Sequence, residues 1–364
     1  MHNLPKIYQL FFLLCISSAS FAQEIHWHDP LARGAALHGQ LQGVSGYARL
    51  PAEAEAQVRP PVWNLSRHTA GIELRFVTDA PLIQVRFVPT GNLQMPHMPA
   101  TGVSGLDLYA KDKVGNLEWV RGSYSFGDTV AYVFRVNLAG KMEREFKLYL
   151  PLYNGVNNME VGVPVESFFK IIPPSSEKPI VVYGTSIAQG ACASRPGMAW
   201  PAIMGRKLDR TVVNLGFSGN GRLEPEVLEH ISNTEAAVYI LDCLPNLVPS
   251  VNWTEDEIKS RLIHAVNFLK EKHPETPILL VEHAGYSDSL TDKERGAAVR
   301  FVNNWMKDVY QNLLFEGTTE IYLLTKDDIQ LDLDATVDGT HPSDLGMRQI
   351  AQAYVEILNE ILEE

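Results

Sequence analysis

Cysteine is scarce in this chain: three residues among 364 cannot supply a disulfide framework, so the fold must rest on buried apolar side chains. Basic residues are also in deficit, with 31 Lys and Arg against 43 Asp and Glu and a formal net charge of -12. A surface of that sign repels phosphate backbones, which argues against nucleic acid as a partner. No segment beyond the first 25 residues is long and apolar enough to cross a bilayer, so stable membrane insertion is not expected. Internal repeats and low-complexity tracts are absent, and so is metal-ligand spacing. His283, beside Glu282, has no second His or Cys at a suitable distance and reads as a packing or rim residue. No cofactor or metal is expected.

What is present begins with a leader. Met1 to Lys6 precedes an apolar stretch from Tyr8 to Ala19 and then Ser20-Phe21-Ala22, with small residues where a signal peptidase reads. Cleavage before Gln23 and export to a periplasmic or extracellular space are therefore expected. The apolar stretch is short for a membrane anchor, and Leu14 before Cys15 is too large for lipid attachment. Loss of the leader leaves Cys192 and Cys243 in a compartment where disulfides persist.

The remaining length suits two domains, each with its own core. Over residues 23–172, short alternating runs such as Gly71–Val77, Ile83–Phe87 and Phe146–Leu150 are separated by turn residues, which predicts an antiparallel β-sandwich without helices of useful length. The Pro- and Ser-rich stretch 173–178 reads as a linker. From 179 to 364 the rhythm changes to continuous apolar runs at Ile180–Tyr183, Val212–Leu215, Ala237–Leu241, Ile278–Val281 and Ile321–Leu324. Helical stretches intervene at Glu255–Lys272 and Lys293–Leu314, with capping boxes at Thr254/Glu257 and Thr291/Glu294, and a last helix covers Asp344–Leu362. Buried strands alternating with helices predict a three-layer α/β domain around a parallel sheet, with reactive groups at the carboxyl ends of its strands.

Two motifs fall at those ends. Gly184-Thr185-Ser186 follows the first strand, so Ser186 is held at a sharp turn, its hydroxyl towards the crevice and its amide at a helix start. By itself this is also what a helix N-cap looks like. Asp338-Gly339-Thr340-His341-Pro342 lies between the last strand and the last helix. A carboxylate three residues before a histidine can accept from Nδ1–H and so present Nε2 as a base. Joined at one crevice, Ser186, His341 and Asp338 make a candidate nucleophile, base and orienting acid.

In these motifs the chain resembles the SGNH, or GDSL-type, hydrolase family, over roughly residues 179–364. Thr185 stands where the family usually has Asp, and Asp338 to Pro342 matches its last block closely. Asn214-Leu215-Gly216-Phe217-Ser218-Gly219-Asn220-Gly221 matches the second block. In Leu241-Asp242-Cys243-Leu244-Pro245-Asn246 the third block departs from the family's pattern by lacking its glycine. The resemblance implies an ester hydrolase of flavodoxin-like fold with an oxyanion hole formed by the Ser186 and Gly219 amides and the Asn246 side chain. Gly105-Leu106-Asp107-Leu108-Tyr109 resembles the GxDLY signature of a sandwich domain that precedes some of these hydrolases, where Asp107 and Tyr109 read as structural.

Cys192 and Cys243 fall in neighbouring loops of the crevice, either paired as a disulfide bracing its rim or as two buried thiols. Met198, Trp200 and Trp253 read as packing residues. The expected activity is that of an exported esterase on acyl groups, acetyl among them, carried by carbohydrate. A lipase or lysophospholipase is the alternative enzyme, and a non-catalytic glycan-binding protein the alternative class. An α/β-hydrolase fits less well, because its acid and histidine usually lie far apart in sequence.

Overall fold

The computed structural model describes residues 23–32, 37–136, 142–250 and 253–363. The expected leader, residues 1–22, lies outside them. In the N-terminal part, alternating side chains produce two five-stranded antiparallel sheets. One runs in the order Ile25–His28, Val156–Pro164, Leu82–Pro89, Val130–Arg135, Gly122–Ser125. The other runs Phe169–Ile171, Glu73–Thr78, Arg144–Tyr149, Asp107–Lys111, Leu117–Val120. Every second residue, among them Ile83, Val85 and Phe87 on one sheet and Phe76, Phe146 and Leu148 on the other, enters a shared core.

The C-terminal part is a parallel sheet in the order Val212–Gly216, Ile180–Gly184, Val238–Asp242, Ile278–Val281, Ile321–Leu324. The first strand in sequence lies second in the sheet, so the chain winds outward in both directions and leaves a crevice at its carboxyl end. Apart from the edge strand Ile321–Leu324, whose Tyr322 and Leu323 are half-buried, each strand is buried on both faces, which is why it reads as a continuous apolar run. Val181, Tyr183, Leu215 and Leu241 face one helical layer containing Ile258, Leu262 and Val302. Val182, Val212 and Ile240 face the other, where Trp200 stacks on Tyr354 with ring centroids 4.1 Å apart. Trp200 is thus core, Met198 packs against the same cluster, and Trp253 packs partly buried on the opposite face. Among the described residues no helix is long and apolar enough to cross a membrane.

Helix Glu255–Lys272 starts where expected, with Thr254 accepting from Glu257 N at 3.3 Å. Helix Lys293–Phe315 is capped differently. Asp292, not Thr291, accepts from the amides of Glu294 and Arg295, both at 3.1 Å, while the Thr291 hydroxyl donates to Asp288 O. The carboxylate one residue nearer the helix is the stronger cap.

The N-terminal part is not sandwich throughout. Leu41, Leu50, Ala54, Val58 and Val62, around the short helix Pro60–Ser66, belong to the core beneath the C-terminal sheet. Ala70, Met98, Val103, Leu152 and Tyr153 pack on that sheet's other side. A helix of seven residues opened by two prolines is too short to show a period. The fully buried guanidinium of Arg49 joins the two parts, donating to Leu65 O and His68 O on one side and Asn214 O and Gly216 O on the other. Burial lowers its pKa to about 9, so it remains a cation at neutral pH.

Candidate active site

Strand Ile180–Gly184 ends against a tight turn. A Cβ on Gly184 would lie 2.6 Å from that of Ala188, so only glycine lets the chain double back there. Thr185 adopts an extended conformation and caps the short helix Ser186–Gln189 through its hydroxyl, which accepts from Ile187 N. Thr185 therefore acts as a helix cap, a role that needs no carboxylate. The helix closes at Gly190, whose φ of +107° favours glycine. Ser186 sits at the helix start with 8% of its surface exposed.

The second motif arrives on the loop before helix Asp344–Glu363. Asp338 Oδ1 accepts from the backbone amides of Thr340 (3.1 Å) and His341 (2.8 Å), and its Oδ2 lies 2.7 Å from His341 Nδ1. Gly339 makes the reversal at φ +82°. Burial raises the Asp338 pKa, but the hydrogen bonds from His341 outweigh it and hold the carboxyl below its ordinary value. His341 Nε2 then lies 2.9 Å from Ser186 Oγ. The loop is tied down by Arg295, which reaches Asp288 and the Thr340 hydroxyl, and by Ser287 N donating to Gly339 O.

The loop that carries Gly219 is fastened to the serine's strand and helix. Phe217 N donates to Gly184 O (3.0 Å) and Ser218 N to Gln189 Oε1 (3.0 Å). Gly221 approaches so closely that a Cβ there would meet Gly184 O. Gly219 has φ +67° and open space where a side chain would be. Among the described residues, neither its amide nor that of Ser186 donates to another protein group. An N–H group left without a protein acceptor is free to receive an oxyanion. Asn246 differs from expectation in orientation: its Nδ2 donates to Gly221 O (3.1 Å) and Phe217 O (3.4 Å), so it braces the Gly219 loop instead of standing free.

The two cysteines are both free and buried, so the disulfide alternative does not hold. The Cys192 thiol donates to His97 O, whereas that of Cys243 donates to Tyr183 O within the core under the sheet. Burial, aided by the Asp338 charge, pushes the Cys192 thiol up to about 12, so it stays protonated at neutral pH. His283 is buried, its Nδ1 accepting from Gly285 N, and burial lowers its pKa to about 3. It packs edge-on against Tyr286.

Several contributors escaped the sequence reading. His97, in a loop of the N-terminal part, brings its ring to 5.8 Å from that of His341. The Tyr153 hydroxyl donates to Ser186 O at 3.2 Å. Gln189 links His68 to the Gly219 loop. Asp107 and Tyr109 of the GxDLY stretch clasp the loop that follows the serine helix: Asp107 pairs with Arg195, accepts from Gly197 N and is held by Trp119 Nε1, while Arg195 also donates to the Tyr109 hydroxyl. Ser194 in the same loop donates to Asp344 at the start of the last helix. Such contacts join residues about 90 to 150 positions apart, beyond what local periodicity records.

Sheet order and flanking sandwich define a two-part α/β protein. The chain belongs to the GDSL-like lipase/acylhydrolase family, whose model matches residues 177–359, and the model for the N-terminus of SGNH-hydrolase-type esterases matches residues 25–169. It is an ester-hydrolysing enzyme. Among solved structures, a GDSL-like lipase from Bacteroides ovatus is 32% identical, with TM-score 0.85 over 93% of this chain and 98% of that one. A salicylyl-acyltransferase from a tetracycline biosynthetic pathway, 19% identical, shares the fold with TM-score 0.72 over 93% and 97%. A family two carbohydrate esterase from Clostridium thermocellum, in complex with cellohexaose, is 13% identical with TM-score 0.52 over 80% and 92%. No curated protein matches the chain significantly.

Proposed function

We propose that this chain is an exported serine esterase that removes short acyl groups, acetyl among them, from carbohydrate. The observation that carries the reading is the relay of 2.9 Å from Ser186 Oγ to His341 Nε2 and 2.7 Å from His341 Nδ1 to Asp338 Oδ2. Asp338 holds the imidazole with its hydrogen on Nδ1, leaving the Nε2 lone pair facing the serine. His341 takes the Ser186 proton as Oγ attacks the ester carbonyl, and the amides of Ser186 and Gly219 receive the developing oxyanion, with Asn246 steadying the second. The imidazolium returns the proton to the leaving alcohol. Water, deprotonated by the same Nε2, then frees the acyl group and the serine.

Export rests on the leader pattern of residues 1–22. A carbohydrate carrier is suggested by the carbohydrate esterases that share the fold. A lipase is the second reading, favoured by the description of the 32% identical structure from Bacteroides ovatus. Ser186→Ala is expected to fold normally and to lose ester cleavage by several orders of magnitude, and a fluorophosphonate should label the unaltered protein at Ser186. Unchanged turnover in the purified variant would remove the assignment. Acetylated sugars, xylan fragments and aryl esters of increasing chain length then separate the two substrate classes, since a lipase prefers the long chains.

A further inference from the structure

The loop that carries His97 brings a third ligating side chain to the rim of the crevice. One ligand atom from each of His97, Cys192 and His341 lies within 4.8 Å of the other two. These residues come from three separate parts of the chain, so their convergence is a product of the fold. Cys192 adopts a left-handed backbone (φ +68°), a conformation that a side chain rarely takes without being held there. We infer that the three residues form a binding site for a thiophilic divalent cation, Zn2+ in the first place, and that occupancy switches the esterase off.

The donor set is the argument for the metal. Two imidazoles and a thiol are the ligands that zinc prefers and that calcium and magnesium avoid. Donors sharing one zinc at about 2.0–2.3 Å lie about 3.5 Å apart. The present spread is therefore closed by small rotations, which the exposed His97 side chain is free to make. A coordinating thiol is deprotonated outright, so binding exchanges the Cys192 proton for the S–Zn bond and releases that proton to solvent. The Asp338 carboxylate, whose charge reaches Cys192, adds attraction for a cation and stays on His341 Nδ1. This leaves His341 Nε2 as the nitrogen that faces the metal. The fourth position is open to water.

The inhibitory half of the inference rests on the proposed role of His341. A lone pair donated to zinc cannot accept the Ser186 proton, so the bound enzyme retains its fold and lacks its base. Binding and inhibition have separate readouts. Co2+ added to the purified full chain should bind one equivalent and give the near-ultraviolet thiolate-to-cobalt absorption together with the visible bands of a tetrahedral site. Zn2+ should displace it, and hydrolysis of an aryl acetate should fall in step with occupancy and return on chelation. Cys192→Ser should abolish the thiolate band, and His97→Gln, at an exposed position, should weaken Zn2+ binding by about tenfold or more. The inference is overturned by the absence of the band, by its persistence in Cys192→Ser, by unchanged affinity in His97→Gln, or by full turnover at full occupancy. Loss of activity in Ser186→Ala, measured without metal, decides the esterase reading independently.

Discussion

Asp338→Asn tests whether the carboxylate sets the tautomer of the base. Asp338 Oδ1 accepts two backbone N–H groups, from Thr340 at 3.1 Å and His341 at 2.8 Å. An asparagine preserves that turn only by placing its carbonyl oxygen there, which directs its NH2 at His341 Nδ1. The imidazole must then accept at Nδ1 and carry its hydrogen on Nε2, where it can donate to Ser186 Oγ but cannot take a proton from it. Heavy-atom positions survive while the base is lost. The expected fall in kcat is about 10^4-fold, or about 5.5 kcal/mol of transition-state stabilisation. The assay is kcat and KM on a short aryl ester, with circular dichroism to show that the fold is retained. A folded variant within tenfold of the native rate would refute the tautomer argument. The stability effect has a sign as well. Because the folded Asp338 pKa is depressed, its contribution is present above the ordinary Asp value and is lost as pH falls through the folded one. The stability gap between native protein and variant should therefore narrow in acid.

Asn246→Ala, if the side chain only braces its neighbours, lowers kcat by less than the roughly hundredfold cost of a lost oxyanion donor. A larger loss at unchanged stability would mean that the amide turns to the substrate. Asp107→Asn leaves the Arg195 guanidinium without its buried partner and should cost about 3 kcal/mol in denaturant unfolding; a change under about 0.5 kcal/mol would show that the clasp contributes little. Asp242→Asn probes a carboxyl whose burial raises its pKa from 3.8 to about 7. The native fold holds that proton more tightly than the unfolded chain does, so native stability falls as pH rises from 3.8 to about 7 and is level above. The variant should be the more stable above neutrality, by at most about 4 kcal/mol, with no advantage in acid. An advantage independent of pH would contradict this account.

The parallel strands were legible in the sequence to within a residue, because a strand buried on both faces leaves no polar interruption until its end. The serine and the Asp338–His341 pair were legible for a related reason: sheet order places both at one rim. Contacts set by distant segments were not. Nothing around Leu41 to Val62 announces that these residues complete the core under a sheet that begins at Ile180, and no local pattern marks His97 as a neighbour of His341. The direction of the Asn246 amide and the separation of Cys192 from Cys243 depend on side-chain environment, which spacing does not encode. The cap at Asp292 shows the smaller error of choosing between adjacent polar residues.

The guanidinium of Arg49 bears on how such a chain can be divided. The exposed stretch between Ile171 and Ile180 looks like a natural place to cut, and a cut there would leave each strand intact. It would also strand a cation, strip the Asn214 and Gly216 carbonyls of their donor and uncover the apolar floor that residues 41 to 62 provide. Recombination could not easily transplant the hydrolytic half by itself; what is heritable as a working unit is the pair.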